Sequence, residues 1–295
     1  MSGIWRDGNQ LRLLINGEDY YPRVFECIRA ARIEVLLETF IIREDKVGLE
    51  LQQVLIEAAR RGVRVVTAVD GYGTADLQHE YVAALTREGV KIHVFDPSPR
   101  RFGMRTNLFR RLHRKLVVID GQCAFVGGIN YSADHLGDFG EMAKQDYAVE
   151  VSGPIVSDLH VAMLRLLRPA FSEPSPAQPS REPVGDARVM LLERDNERHT
   201  TDIEDEHLRA FESARKHLVI ANAYFFPGYR VLRALRNAAE RGGTRRAGDP
   251  DPAGPTGHAL GPGLFSPALQ LPATPRCGDL RILPAPAARQ GGVGG

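Results

Sequence analysis

Between Leu112 and Asn130 the chain reads LHRKLVVIDGQCAFVGGIN. His113 and Lys115 are separated by one residue, Lys115 and Asp120 by four, and Gly127, Gly128 and Asn130 close the stretch. On an extended chain, residues two apart project to the same side, so imidazole and ammonium would face one substrate. A neutral imidazole is a competent nucleophile toward phosphorus, and a neighbouring ammonium offsets charge on the non-bridging oxygens. The glycine pair lets backbone approach a phosphate closely, and Asn130 adds an amide donor. No His/Cys/carboxylate spacing reads as a metal site, so lysine supplies the positive charge. A lone His-x-Lys is an ordinary solvated strand face; Asp120 and the Gly-Gly-x-Asn tail make this one a candidate site. Such chemistry takes two sets around one phosphate, and only one is visible.

The elements that must hold these residues alternate. Residues 33–42 (IEVLLETFII) read as a buried strand. Asp45 then caps a helix with Val47, Leu51, Val54, Leu55 and Ala58 on one face, ended by Gly62. Strands follow at 63–71 and 90–95, with a helix near 77–88 between them. The motif supplies strands at 115–119 and 124–126; 146–153 is another strand and 154–167 a helix. Alternation at these lengths predicts an α/β sheet with covered faces. Glu38 and Asp70, at strand ends beside the motif, suit either a headgroup contact or a structural cap.

Residues 169–186 break all periodicity with Pro and Ser and read as a linker, leaving 1–168 as one domain. From 187 to 242 a second domain begins, because residues 213–242 repeat the order of 29–62: apolar strand, aromatic, amphipathic helix, Arg-Gly. The tail, 243–295, is rich in Pro, Gly and Ala and has no usable periodicity. It reads either as a disordered segment or as the second half out of frame. A one-base shift permits Val-Arg-Val-Val at 243–246 and Leu-His-Gly-Lys at 287–290, about where a second His-x-Lys would fall.

A formal charge of +1 gives no global pull toward nucleic acid. Three separated cysteines make neither a disulfide framework nor a zinc cluster and favour a reducing compartment. The opening MSGIWRDGNQ has no apolar core, so no secretory signal is expected. No run approaches the ~18 apolar residues of a membrane span. A local exception to neutrality is Arg100–Lys115, with seven cations, no acid, and interleaved Phe102, Met104, Leu108 and Phe109. It suits an anionic lipid surface, with Arg101, Arg105, Arg110 and Arg111 as headgroup contacts. A nucleic-acid groove is the competing use of the same residue types.

The complete H-x-K-x4-D-x6-G-G-x-N pattern resembles the phospholipase D superfamily. The flanks LLETF, DGYG, FGMRTNLFRRLHRKLVVID, FVGGINYS, KQDYAVEVSGPIV and IANAYFFPGYR are similar to bacterial cardiolipin synthases, the B type most of all, over residues 5–242. The resemblance implies a phospholipase D-like sandwich of mixed β-sheet flanked by helices, one complete half plus an incomplete second. It implies phosphatidyl transfer through a phosphohistidine, needing no cofactor, at the cytoplasmic face of the membrane on anionic phospholipids. By the same resemblance His113 is nucleophile or general acid, Lys115 binds phosphate and Asp120 buttresses the motif's turn. Asn130 and Gly128 serve the phosphate, and Asp146 orients His113. One motif per chain implies a homodimer pairing two His113 residues. The rivals are a phosphodiesterase or nuclease of the same superfamily, and a non-catalytic remnant that binds membranes.

Overall fold

The computed structural model describes residues 3–95, 100–101, 104–105, 112–167, 171, 173–194, 199–215, 218–220 and 225–242. The chain divides into two compact units at Leu191–Leu192. In the first, ten strands and four helices follow the order β1 (Trp5–Ile15), α1 (Asn16–Ala30), β2 (Glu34–Thr39), α2 (Lys46–Arg60), β3 (Arg64–Asp70), α3 (His79–Arg87), β4 (Lys91–Phe95), β5 (Arg100–Arg101), β6 (Met104–Arg105), β7 (Leu116–Ile119), β8 (Cys123–Gly127), β9 (Tyr147–Ser152), α4 (Ile155–Leu167) and β10 (Ala187–Met190).

Eight of the strands form one sheet in the order β10-β1-β9-β8-β7-β2-β3-β4, with β5 and β6 a separate ribbon. Among the described strands of this sheet, β2–β3 and β3–β4 pair in parallel and every other neighbour is antiparallel. β2 is buried at all six positions, Glu34, Glu38 and Thr39 included, as a strand covered on both faces is. Val35, Leu37, Val117 and Ile119 face α1, α2 and α3. Leu36, Val66, Val118 and Val151 face α4. The mixed sheet flanked by helices is the architecture expected.

Asp45 caps α2 as the sequence indicates, accepting from Val47 N at 3.0 Å and Gly48 N at 3.2 Å. Two elements were not legible: β1, whose Leu11 and Leu13 lie exposed, and α1, which holds Pro22 and follows β1 with no intervening loop. That junction is made by Asn16 at φ +56°, a conformation Asn tolerates better than most residues.

The domain boundary is a correction. Residues 169–186 are not a free linker where they are described, because their side chains pack on the first unit. Ser175 Oγ donates to buried Glu34 at 2.8 Å, Ala177 is buried, and Pro179 lies against Gly121. β10, expected to open a second domain at 187, instead pairs antiparallel with β1. Proline removes periodicity without preventing a chain from lying along a surface, so composition alone misplaced the break.

The second unit holds α5 (Asp202–Ser213) and α6 (Tyr229–Gly242). Phe211, Ala234 and Leu235 form its small core, with Leu218, Ile220 and Phe225 packed against it. The helix of the expected repeat is therefore present, but Leu218–Ile220 and Phe225 are in no strand. A strand needs a neighbour for its backbone groups, and these residues pair with none among the described residues. The tail at 243–295, disordered or out of frame, lies outside the described residues.

Candidate active site

The motif begins as an extended segment, 112–115, that runs into β7. Its start is fixed from the end of β3. Asp70 accepts from Leu112 N at 2.7 Å and from Tyr72 N and Gly73 N at 2.8 and 3.0 Å. One buried carboxylate thus closes the Gly-Tyr-Gly turn and anchors the residue before His113. Between the two reactive side chains, Arg114 forms a two-point pair with Glu38, Nε to Oε2 at 2.9 Å and Nη2 to Oε1 at 2.8 Å. Both strand-end acids left open by the sequence are thus structural fastenings.

With Arg114 turned to Glu38, His113 and Lys115 share the opposite side. Lys115 Nζ lies 3.5 Å from His113 Nε2 and donates to His113 O at 3.1 Å. Phe40 lines both, its ring centre 4.9 Å from the imidazole centre and 5.4 Å from Nζ. Lys115 is only 7% exposed, and burial pulls its pKa down to about 8, with Asp146 opposing. Burial, followed by the Lys115 charge, also holds His113 below the ordinary imidazole range, with Asp70 opposing. At neutral pH the pair is therefore a neutral imidazole beside an ammonium.

Asn130, in the segment after β8, is tied to the residue that follows Phe40. Its Oδ1 accepts from Ile41 N at 3.1 Å. That bond fixes which end of the amide is oxygen and leaves Nδ2 as a donor with no acceptor among the described residues. Gly127 is required by crowding against backbone, whereas Gly128 lies under a side chain. A Cβ on Gly127 would lie 2.5 Å from Tyr147 O, and one on Gly128 would collide with the Asp146 carboxylate.

Asp120 does not face this group. Its φ is +52°, and its carboxylate accepts from Arg32 N at 2.9 Å and from Ile33 N and Glu34 N at 2.8 Å each. It buttresses the motif by tying the β7–β8 turn to the entry of β2. Asp146 differs from expectation, since among the described residues it makes no hydrogen bond to His113. Asn16 holds its backbone from both sides, Asn16 N donating to Asp146 O at 2.8 Å and Asp146 N to Asn16 Oδ1 at 2.9 Å. Its Oδ1 takes Tyr147 N at 2.8 Å, which lays the carboxylate over Gly128, where its charge acts on Lys115. Arg110 and Arg111 lie outside the described residues, as do the side chains of Arg101 and Arg105.

Several contributors escaped the sequence reading. Tyr21, expected only to pack, places its hydroxyl 2.6 Å from Asn130 O and 2.8 Å from Ser132 O. Asp45 takes a second role, accepting from Ala133 N at 2.7 Å with the oxygen not used as cap. Neither contact has a signal in local spacing, because each joins segments far apart in the chain. Away from the motif, Cys27, Cys123 and Glu150 lie within 4.8 Å of one another, a grouping that the cysteine spacing did not suggest. Arg23 already occupies both Glu150 oxygens, so the cluster is a charge-paired contact between α1 and the sheet. A cavity of about 650 Å³ lined by Arg64, His160, Leu164 and Phe171 contains none of the motif residues.

Residues 24–160 match the family described as cardiolipin synthase, PLD-like domain. Cardiolipin synthase B of Escherichia coli (strain K12) is 51% identical over 248 residues, covering 82% of this chain and 60% of that protein. The chain belongs to the phospholipase D-like cardiolipin synthases. Within that family, cardiolipin synthase A of Pseudomonas aeruginosa (strain LESB58) is more distant, 33% identical over 252 residues, covering 79% of this chain and 48% of that protein. The chain thus spans less than two thirds of the length of either relative. Among solved structures, polyphosphate kinase from Porphyromonas gingivalis superposes with a TM-score of 0.50 at 16% identity, covering 79% of this chain and 36% of that one, a likeness of fold alone. No helix among the described residues is long and apolar enough to cross a membrane.

Proposed function

We propose that this chain carries one half-site of a phosphatidyl transferase that makes cardiolipin at a membrane surface, with His113 as its covalent nucleophile. The observation that carries the reading is the His113–Lys115–Asn130 grouping. A neutral imidazole, a buried ammonium 3.5 Å away and an amide whose NH2 is left unengaged by Ile41 suit an attack on a phosphodiester. Family membership supplies the lipid substrate class.

In the first step His113 Nε2 attacks phosphorus of one phosphatidylglycerol; the P–O bond to glycerol breaks and a second imidazole gives the departing oxygen its proton. In the second, the headgroup hydroxyl of another phospholipid attacks the phosphohistidine. That same imidazole takes the proton, and the N–P bond breaks to release cardiolipin and free His113. Two easier displacements replace one hard one. Lys115 and Asn130 hold the non-bridging oxygens throughout, where preorganised donors lower the barrier.

The second imidazole comes from another copy, His113 facing His113 across a two-fold axis, or from a second motif beyond the matched portion of the longer relatives. The remaining cations of the 100–115 segment, Arg100, Arg101, Arg105, Arg110 and Arg111, attract the anionic cytoplasmic leaflet, each contributing about 1 kcal/mol near such a surface. Incubating the protein with phosphatidylglycerol vesicles, with and without phosphatidylethanolamine, and resolving the lipids tests this. Cardiolipin and glycerol are expected. Hydrolysis to phosphatidic acid alone, or cleavage of DNA with no lipid turnover, assigns the site to the phosphodiesterase branch. Vesicle binding with no turnover identifies a membrane-binding remnant.

A further inference from the structure

Just past the Gly-Gly-x-Asn tail, a short 3-10 turn over Ala133–His135 carries a histidine that the reaction above does not use. His135 is 2% exposed. Its Nε2 accepts the Asn130 backbone N–H at 3.3 Å. A neutral imidazole that accepts on one nitrogen carries its proton on the other, and that Nδ1–H is fully buried with no partner. Burial holds the ring below the ordinary imidazole range, so it stays in this neutral tautomer.

The arrangement exchanges one orphan for another. An apolar residue at 135 would leave Asn130 N without an acceptor, whereas the imidazole satisfies Asn130 N and leaves its own Nδ1–H unpaired. Buried unpaired donors carry penalties of the same order, so the exchange gives little stability. What it gives is placement. Asn130 is held at its amide nitrogen by His135, at its carbonyl by Tyr21 at 2.6 Å, and at its side-chain oxygen by Ile41 N at 3.1 Å. Tyr131, next in the chain, is laced to the same strand end, donating to Ile41 O at 3.1 Å and accepting from Arg43 N at 2.9 Å. With its other polar atoms engaged, Asn130 has Nδ2 as its remaining donor.

From this we infer that His135 is a positioning residue for the transfer reaction, acting through Asn130 to hold the Nδ2 donor on the phosphate. The inference rests on the proposed reading of Asn130 as a phosphate ligand. Among the described residues no hydrogen bond joins His135 to His113 or Lys115, so its hydrogen-bonded route to the site is the backbone bond to Asn130.

The test is a double-mutant cycle read by calorimetric titration of short-chain phosphatidylglycerol, below its micelle concentration, into the full chain. Asn130→Ala and His135→Leu are each expected to weaken binding about tenfold, as loss of one hydrogen bond does. Combined, they are expected to lose no more than either alone. His135→Gln, which restores an acceptor, is expected to bind within about threefold of the parent. If His135→Leu does not fold, His135→Phe fills the same space without the acceptor. Full affinity in the Leu or Phe variant, additive losses in the double variant, or a Gln variant as weak as Leu each overturns the role of His135. Full affinity in Asn130→Ala overturns the phosphate-site reading itself, and this inference with it.

Discussion

Arg114 is fastened to Glu38 by two parallel hydrogen bonds, at 2.9 and 2.8 Å, and that pair decides which way the residues beside it point. Glu38 is wholly buried, on the side of β2 that carries Leu36. Alternation then sends His113 and Lys115 to the other side. Glu38→Gln should destabilise the fold by about 3 kcal/mol in urea unfolding, because it removes the charge of a wholly buried carboxylate from its two-point pair with Arg114. A loss under about 1 kcal/mol would show the pair to be worth no more than a surface bridge.

Asp120 is a structural member of the motif. Asp120→Ala removes the acceptor of three backbone N–H groups and puts alanine at a left-handed φ, so it should lose about 3 kcal/mol or more. Turnover per folded molecule should stay near the parent's. A stable variant with abolished turnover would contradict this assignment.

Lys115 opposes stability in the state that function requires. Its folded pKa, about 8, lies below the value of about 10.4 expected in an unfolded chain. Between those values the unfolded chain binds more protons, so stability should rise with pH across that window and be lowest, for this group, below pH 8. Lys115→Met should therefore raise the melting temperature at pH 7 while abolishing phosphate binding, a stability–function trade-off. A lower melting temperature would mean that the ammonium is better solvated than its burial implies.

The rate should follow a bell in pH. The acid limb marks the attacking His113 losing its proton, below the ordinary imidazole value; the alkaline limb marks loss of the proton on the second imidazole, the general acid, together with that of Lys115 near pH 8. Asp146 raises the Lys115 value, so Asp146→Asn should move the alkaline limb to lower pH. Movement of the acid limb alone would restore Asp146 to the role of orienting His113.

Much of this was legible locally. His113, Lys115 and the glycine pair are set by spacing on an extended chain, and the Asp45 cap and α2 by helical periodicity. What escaped depends on partners distant in sequence. Asp120 reaches Arg32–Glu34, Tyr21 reaches Asn130, and β10 returns to β1. The boundary at 169–186 was misread because proline and serine report the loss of periodicity, not whether the chain lies against a core. Of the strand expected in the repeat at 213–242, the described residues Leu218–Ile220 and Phe225 lie in no strand, because an apolar run specifies a strand only where another strand receives it.

The central claim is a bond between phosphorus and His113 Nε2. It is tested by incubating the chain, alone and as a chimera with the C-terminal part of the Escherichia coli relative, with phosphatidylglycerol labelled at phosphorus. The reaction is then quenched in alkali and the protein mapped by mass spectrometry. The account predicts an acid-labile phosphatidyl adduct on His113 that is absent in His113→Ala. Turnover without label on that side chain in either form, or label persisting in His113→Ala, would contradict it.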